Sequence, residues 1–206
     1  MGLAPYSKEI HSDEVYQELK DLLCIDGMRV VHKKRPNDLY QFLVEKLKVY
    51  RFDSIAGGAQ KWLEEMSKEL IRNIYQETGI RNFGFSGGVA MNVKLNQTLS
   101  ELEFVDDFFV CGSSSDESLS IGGCYFSNHK NQIKNQPLEN LYLGPENTVK
   151  EINQWIEEKT LLNKYRIDKE VSNKTVAEKI ASGEVVARVA GNMEFGARAL
   201  GNRSIL

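Results

Sequence analysis

Apolar side chains recur every three or four residues along several stretches of this chain, and that spacing predicts helices with one buried face. The longest stretch covers residues 54–78, where Ile55, Trp62 and Leu70 fall on one face and charged residues fall on the other. Gly79 follows as a typical helix end. The same spacing predicts shorter helices over residues 15–23, 39–47, 148–158 and 175–181.

Short apolar runs bounded by glycine or polar residues predict strands between these helices. The runs lie at residues 82–85, 104–110 and 185–190, and the last of them is apolar enough to predict a buried strand. Residues 28–32 fit either a short strand or an extended loop. A glycine turn after the first run leads into a predicted helix over residues 89–95. The alternation of strands and helices predicts an α/β fold built largely on a mixed or parallel sheet.

A polar segment at residues 128–142, which contains a proline, has the composition of a connector between domains. We therefore place a domain boundary near residue 136, with one domain over residues 1–136 and a second over residues 137–206. Because the pattern of the second domain stops at Leu206 without a closing element, we expect that domain to be truncated.

The charge balance and the cysteines narrow the class of protein. The 206 residues include 26 lysines and arginines and 29 aspartates and glutamates, a formal charge of −3, so the strong positive field of a nucleic-acid-binding surface is not expected. The three cysteines have no paired spacing, which argues against a disulfide framework and favours a reducing compartment. No run approaches the roughly 20 apolar residues that span a bilayer. We expect a cytoplasmic protein with no nucleic-acid or membrane partner.

Ser86, Gly87 and Gly88 form a turn between a predicted strand and a predicted helix. Backbone amides at such a turn can approach an anion closely, and a helix N-terminus adds a partial positive charge, so a nucleotide phosphate would fit there. A tight turn that needs a positive φ is the alternative explanation of the glycines. Asn92, about one turn further on, could donate a hydrogen bond to a ligand or simply be exposed.

Asp116 follows the predicted strand at residues 104–110 and its polar loop, at the start of a predicted helix. That position is the edge of an open α/β sheet, where ligands commonly bind. A carboxylate there could hold a metal ion that bridges nucleotide phosphates. Asp116 could instead cap the helix, because aspartate is among the preferred N-cap residues.

The densest group of charged residues follows the predicted buried strand, within residues 188–204. It contains Arg188, Glu194, Arg198 and Arg203, together with three glycines. Planar guanidinium groups and exposed loop amides suit a phosphate or a carboxylate-like group, so we favour an anion site. The alternative is a solvated basic loop with one surface Arg–Glu pair, worth under about 1 kcal/mol.

Six segments, in this order, resemble the O-carbamoyltransferase family, which includes nodulation-factor and antibiotic-tailoring enzymes. The segments cover most of the chain and lie at residues 1–6, 55–60, 86–96, 116–123, 142–145 and 194–206. The last segment is long and specific, whereas the glycine motif is shared with the whole actin-like ATPase superfamily. Two positions depart from the family pattern: Glu117 replaces a small residue after the aspartate, and Ala197 replaces a proline.

The resemblance implies an actin-like ATPase (ribonuclease H-like) half-domain over residues 1–136, followed by the start of an α/β YrdC-like domain. In that family the second domain converts carbamoyl phosphate and ATP into carbamoyl-adenylate, and the first transfers the carbamoyl group to an acceptor hydroxyl. The implied cofactors are ATP and a divalent metal, iron or magnesium. The implied partners are carbamoyl phosphate and a sugar or antibiotic that carries the hydroxyl, and the family leaves room for a homodimer.

The resemblance also assigns roles to individual residues. Ser86, Gly87, Gly88 and Asn92 would line the nucleotide, and Asp116 would be a metal ligand. The implied catalytic residues are Arg188, Glu194, Arg198 and Arg203, of which the three arginines would bind carbamoyl phosphate or its phosphoanhydride product. The arginines would neutralise a leaving phosphate, and the metal would polarise the adenylate.

The family's first ATPase-fold half, with its phosphate loop and metal-binding histidines, would precede Met1, and the end of the YrdC-like domain would follow Leu206. We therefore expect an internal segment that is inactive on its own. The alternative function is a non-catalytic nucleotide-binding module of the actin-like superfamily. A tRNA-modifying transferase is disfavoured by the acidic charge balance and by the motif at residues 194–206.

Overall fold

The computed structural model describes residues 1–159, 161–168, 170–197 and 199–206. Its contacts separate two compact units, Met1–Asp116 and Glu117–Leu206, which we call the first and the second unit. The domain boundary near residue 136 falls within the second unit and stays a prediction.

Four helices and four strands make up most of the first unit. In chain order they are α1 (Glu9–Leu19), β1 (Leu23–Asp26), β2 (Arg29–His32), α2 (Leu39–Leu47), α3 (Phe52–Thr78), β3 (Asn82–Phe85), α4 (Val93–Ser100) and β4 (Asp107–Val110). The predicted long helix is confirmed as α3, and the predicted helix over residues 39–47 is confirmed as α2. The predicted first helix ends earlier than expected, because Leu23 begins β1 instead.

The described residues of the second unit form α5 (Leu119–Lys130), α6 (Val149–Glu158), α7 (Asn173–Ala181), β5 (Ala187–Val189) and β6 (Arg203–Ile205). Helices α6 and α7 confirm two predictions from the apolar spacing. The start of α6 is fixed by a capping box, in which the Thr148 hydroxyl accepts from the Glu151 N–H and the Glu151 carboxylate accepts from the Thr148 N–H. Within the described ranges, no helix is both long and apolar enough to cross a membrane.

The strands in the described part of the chain form three separate two-stranded sheets. Strands β3 and β4 are parallel, with Asn82 opposite Asp107 and Phe85 opposite Val110, whereas β1–β2 and β5–β6 are antiparallel. The mixed α/β architecture is therefore confirmed. Among the described residues, however, the expected larger sheet is reduced to one parallel pair, which places the two strand ends of the predicted nucleotide site side by side.

The core of the first unit forms where α1 packs against α3. Val15, Leu19 and Leu22 are buried there, and partly buried apolar side chains of α2 and α3 surround them. Gly58 of α3 permits this close approach, because a Cβ atom at that position would lie 2.5 Å from the Cβ of Val15 and 2.8 Å from the carbonyl oxygen of Ser12. The glycines of the motif at residues 55–60 thus have a packing role.

The second unit differs from its prediction at β5. All three residues of that strand are exposed: Val189 within it keeps 67% of its surface accessible, and Val185 just before it keeps 80%. The expected buried strand at residues 185–190 is therefore wrong as regards burial. In the part of the chain that the structure describes, the buried residues all lie in the first unit. An apolar run becomes a buried strand only when another layer covers it, and the sequence of the run does not show whether one does.

Candidate functional site

Two loops meet at the carboxyl edge of the parallel pair. One follows β3 at residues 86–88, and the other follows β4 at residues 111–115. The Gly87 N–H donates to the Ser114 carbonyl oxygen at 2.9 Å, which joins the loops directly. Ser113 and Ser114 are buried, whereas the three residues of the glycine turn are exposed. This is the edge at which ligands of open parallel sheets bind.

The glycine turn itself contains the positive φ that the alternative interpretation required. Gly87 has a φ of 94°, and its carbonyl oxygen accepts from the Ala90 N–H at 2.9 Å, which closes a 3-10 turn over Gly88–Met91. Helix α4 begins only at Val93, so the predicted helix N-terminus does not lie at Gly88. The main-chain amides of Ser86 and Gly88 remain candidate phosphate contacts, whereas the Gly87 N–H already donates to Ser114. The ligand role of Ser86, Gly87 and Gly88 stays a prediction.

Asn92 is neither exposed nor aimed simply at solvent. Its Oδ1 accepts from the Leu95 N–H at 3.1 Å and so caps α4. The same side chain pairs with Gln60 of α3, with Asn92 Nδ2 donating to Gln60 Oε1 at 2.8 Å and Gln60 Nε2 donating to Asn92 Oδ1 at 3.3 Å. Asn92 therefore fastens α4 to α3 directly behind the glycine turn.

A cavity of about 490 Å³ in the first unit borders the Gln60 side of this amide pair. Its lining includes Ala4, Glu9, Asp13, Gln60, Lys61 and Lys94. Lys61 donates to Asp13, and this hydrogen bond raises the pKa of the lysine. Sequence reasoning missed the cavity because its residues are spread over more than ninety positions. The available signal was that two motifs without an assigned role, residues 1–6 and 55–60, both contribute to it.

Asp116 is exposed and begins a 3-10 turn, Asp116–Ser118, directly after the loop at residues 111–115. Helix α5 begins at Leu119 with Ser118 in the N-cap position, so the alternative interpretation of Asp116 as its N-cap is wrong. Among the described residues, no three His, Cys, Asp or Glu side chains are grouped closely enough to hold a metal ion. Asp116 thus offers one hard oxygen ligand at the end of the β4 loop, and its metal role stays a prediction.

In the second unit, Glu194 accepts hydrogen bonds from three main-chain N–H groups. Its Oε1 accepts from the N–H groups of Leu200, Asn202 and Arg203 at 3.1, 2.6 and 2.9 Å. Burial by itself would raise the pKa of Glu194, but the surrounding backbone N–H groups outweigh it and hold the pKa below the usual value. Within the described residues, the surface Arg–Glu pair of the alternative interpretation is not found at Glu194.

We call residues 188–204 the arginine loop. Its two described arginines bind main-chain carbonyl groups. Arg188 Nε donates to the Gly201 oxygen at 2.8 Å. Arg203 Nη1 donates to the oxygens of Ala190 and Asn202 at 3.1 and 2.9 Å, and its Nη2 donates to the Gly191 oxygen at 3.2 Å. A guanidinium group has five N–H donors, so each arginine retains donors for a ligand. Arg198, the third predicted arginine, lies outside the described residues.

Two distant motifs meet beside Glu194. Backbone hydrogen bonds join the segment at residues 141–145 to residues 193–195: Gly144 N–H to Met193 O at 3.0 Å, Met193 N–H to Pro145 O at 3.1 Å, and Phe195 N–H to Leu141 O at 2.7 Å. The Tyr142 hydroxyl also donates to the Leu200 oxygen at 3.3 Å. The motif at residues 142–145 therefore supports the start of the arginine loop.

Comparison with known families identifies the class of protein to which these loops belong. The model of the carbamoyltransferase N-terminus matches residues 7–125, more than half of the chain, and the model of the carbamoyltransferase C-terminus matches residues 177–206. The chain belongs to the carbamoyltransferase family. The predicted family is thereby confirmed, and the two matched regions contain the glycine turn and the arginine loop respectively.

Several individual proteins are similar to this chain. Nodulation protein NolNO of Sinorhizobium fredii is 29% identical over 71% of this chain and 22% of its own length. Nodulation protein NolO of Bradyrhizobium diazoefficiens is 30% identical over 75% of this chain and 30% of its own length. An uncharacterised protein of Methanocaldococcus jannaschii is 31% identical over 79% of this chain and 29% of its own length. The chain therefore spans less than a third of the relatives that it matches.

Proposed function

We propose that this chain supplies parts of the nucleotide site and of the carbamoyl phosphate site of an ATP-dependent O-carbamoyltransferase. Residues 1–136 would belong to an actin-like ATPase domain, and residues 137–206 would begin a YrdC-like domain. Carbamoyl phosphate, ATP and water would give carbamoyl-adenylate, phosphate and pyrophosphate. An acceptor hydroxyl would then attack the carbamoyl carbon, and AMP would leave. The observation that carries the proposal is the match of both carbamoyltransferase regions along one chain.

The loops at the end of β3 and β4 support the nucleotide part of the proposal. Ser86 and Gly88 are exposed at a sheet edge, where a nucleotide phosphate can accept hydrogen bonds from their main-chain amides. The neighbouring cavity, of about 490 Å³, has the volume of a small-molecule site. The carboxylates of Glu9 and Asp13 in its wall could accept from ribose hydroxyls, as acidic side chains do in other nucleotide sites. The hydrogen-bonded pair of Gln60 and Asn92 would connect the glycine turn to this cavity.

The arginine loop supports the carbamoyl phosphate part. Arg188 and Arg203 are held by main-chain carbonyls, and a guanidinium group fixed in this way presents its remaining N–H donors without the entropy cost of ordering a free side chain. Such preorganised donors stabilise the negative charge of a phosphate as it leaves. We assign this role to Arg188 and Arg203.

A divalent metal, iron or magnesium, fits the proposal only in part. Asp116 provides a carboxylate of the kind that hard cations prefer, but a metal needs several ligands. The described residues around Asp116 do not supply such a group, so further ligands would come from nucleotide phosphates or from other side chains. When bound, the metal would offset phosphate charge.

Ligand-dependent thermal stability of the full chain tests the proposal. A ligand at 100 times its dissociation constant adds about 2.7 kcal/mol, and each kcal/mol raises the melting temperature of a chain of this size by roughly 2–4 °C. We expect carbamoyl phosphate and MgATP each to raise the melting temperature more than inorganic phosphate does. Arg188→Ala should remove the carbamoyl phosphate shift. The matched control is Arg166→Ala, which alters an exposed arginine paired only with Asp168 among the described residues.

The outcomes separate the proposed function from its alternative. A shift with MgATP but none with carbamoyl phosphate would favour a nucleotide-binding module. Equal loss of the shift in Arg188→Ala and Arg166→Ala would contradict the assigned arginine site. In the natural full-length protein, the proposal requires AMP and a carbamoylated acceptor to form together when carbamoyl phosphate, ATP and a sugar or antibiotic hydroxyl are supplied.

A further inference from the structure

Glu194 is the point at which the arginine loop is held together. One carboxylate oxygen accepts three N–H groups from residues 200, 202 and 203, at 2.6 to 3.1 Å. These residues surround Gly201, whose carbonyl oxygen accepts from Arg188, and they include Arg203 itself. Both arginines are therefore attached to the same short segment that Glu194 binds.

The backbone on both sides of Glu194 is also held in place. The residues that flank it, Met193 and Phe195, form backbone hydrogen bonds to the segment at residues 141–145. The Tyr142 hydroxyl of that segment also donates to the Leu200 carbonyl oxygen, and Leu200 donates its own N–H to Glu194. The motifs at residues 142–145 and 194–206 are therefore bonded to each other, and Glu194 connects the start of the arginine loop to its end.

We infer that Glu194 is a positioning residue, which orders residues 200–203 so that Arg188 and Arg203 present their remaining donors to carbamoyl phosphate without itself touching that substrate. The inference rests on the proposed function of the arginine loop. It departs from the assignment of Glu194 as a catalytic residue.

The chemistry of the carboxylate agrees with a positioning role. The three N–H groups all donate to Oε1, so this oxygen has little remaining capacity to accept a proton from a substrate. The backbone N–H groups also hold the pKa of Glu194 low, which makes the group a weak base and keeps it charged near neutral pH. A negative charge placed against a phosphate would moreover repel it, whereas the same charge turned toward main-chain amides stabilises the loop.

Three variants of the full chain test the inference. Glu194→Ala removes the acceptor, Glu194→Gln retains an oxygen at the same position, and Glu184→Ala is the matched control. Glu184 is an exposed carboxylate of the second unit that binds Lys179 and takes no part in the loop. The readouts are amide hydrogen exchange at residues 200, 202 and 203 and the dissociation constant for carbamoyl phosphate.

We expect Glu194→Ala to exchange these three amides about ten-fold faster or more, because charge-assisted hydrogen bonds are lost, and to bind carbamoyl phosphate correspondingly more weakly. Glu194→Gln should restore most of the protection and most of the affinity. Glu184→Ala should change neither. In the natural full-length protein, Glu194→Gln should retain most of kcat, since no proton transfer depends on the residue.

Two results would overturn the inference. If Glu194→Gln is as impaired as Glu194→Ala in kcat while its amides stay protected, the carboxylate acts on the substrate directly. If Glu194→Ala binds carbamoyl phosphate as tightly as the unaltered chain, the loop does not need the residue. Failure of the proposed function has a different signature: the unaltered chain would not bind carbamoyl phosphate, although the exchange pattern would still show the three amides protected by Glu194.

Discussion

The two units hold their candidate anion sites by opposite means. In the first unit, buried apolar side chains such as Val15, Leu95 and Leu99 fix the helices and strands that end at the glycine turn. In the second unit, none of the described residues is buried, and the arginine loop is held by hydrogen bonds to Glu194 and Arg203.

This difference determines which groups are available to a ligand. Packing in the first unit leaves Ser86 and Gly88 exposed beside the bonded Gly87, so their main-chain N–H groups are the natural anion donors there. In the second unit, Glu194 accepts from the N–H groups of three loop residues, and the guanidinium groups of Arg188 and Arg203 retain donors for a phosphate. A backbone site thus depends on a core, and a side-chain site depends on a polar network.

The largest expected effect tests the contrast in burial with matched leucines. Leu95 in α4 is fully buried and Leu119 in α5 is 70% exposed. Leu95→Ala should lower the free energy of unfolding by about 2–5 kcal/mol, because it removes apolar contacts and leaves a cavity. Leu119→Ala should change it by less than about 0.5 kcal/mol. Urea denaturation measures both, and equal losses would contradict a core confined to the first unit.

A second comparison uses helical glycines. Gly58→Ala forces a Cβ into Val15 and the Ser12 backbone, and we expect a loss of about 1–3 kcal/mol in the free energy of unfolding from overpacking. Gly122 in α5 has open space where its Cβ would stand, so Gly122→Ala should stabilise the helix by roughly 0.5–1 kcal/mol. Melting temperatures of the two variants should therefore move in opposite directions. A decrease in both would mean that Gly122 is packed in solution.

The sequence predicts the helices well because their signal is local. The apolar spacing of residues 54–78 and the Gly79 stop locate α3 to within two residues. The prediction that β5 is buried was wrong, because a run of valines has the same sequence whether or not another layer covers it. In an amphipathic helix, the spacing of the apolar residues shows which face packs against the rest of the protein. A short apolar strand contains no such information.

The candidate sites show a similar limit. Ser86, Gly87 and Asp116 could be selected from residue type and from their position after strands, and the structure brings the loops of β3 and β4 together as expected. The hydrogen bonds between Asn92 and Gln60 could not be predicted from the sequence, since thirty-two positions separate the two residues. The binding of Glu194 to main-chain N–H groups was equally invisible, because every residue except proline carries that donor and no sequence letter marks it.

A third prediction separates the two tasks of Asn92. Asn92→Ala should lower the free energy of unfolding by about 1 kcal/mol, because the cap of α4 and the hydrogen bonds to Gln60 are both lost. Asn92→Asp should cost less, because aspartate also accepts the Leu95 N–H. The counterpart in the second unit is Thr148→Ala, which removes the cap of α6. Thermal unfolding measures all three, and an undiminished loss in Asn92→Asp would show that the Gln60 contact, and not the cap, fixes α4.

The smallest expected effect concerns a surface ion pair of the first unit. Arg81 donates to both carboxylate oxygens of Asp106, at 2.7 and 2.8 Å, and this holds the pKa of Asp106 below its ordinary value of 3.8. A carboxyl whose pKa is lower in the folded state stabilises the fold above its unfolded pKa and loses that contribution as the pH falls through its folded pKa. Asp106→Asn should therefore be slightly less stable than the unaltered chain near pH 7, and the difference should shrink as the pH falls below 3.8 and vanish once the pH is below the folded pKa. Urea denaturation across that range at low salt measures it, with added salt as the control, since salt screens exposed pairs. A loss at neutral pH as large as that of Leu95→Ala would mean that polar contacts, and not the core, set the stability of the first unit.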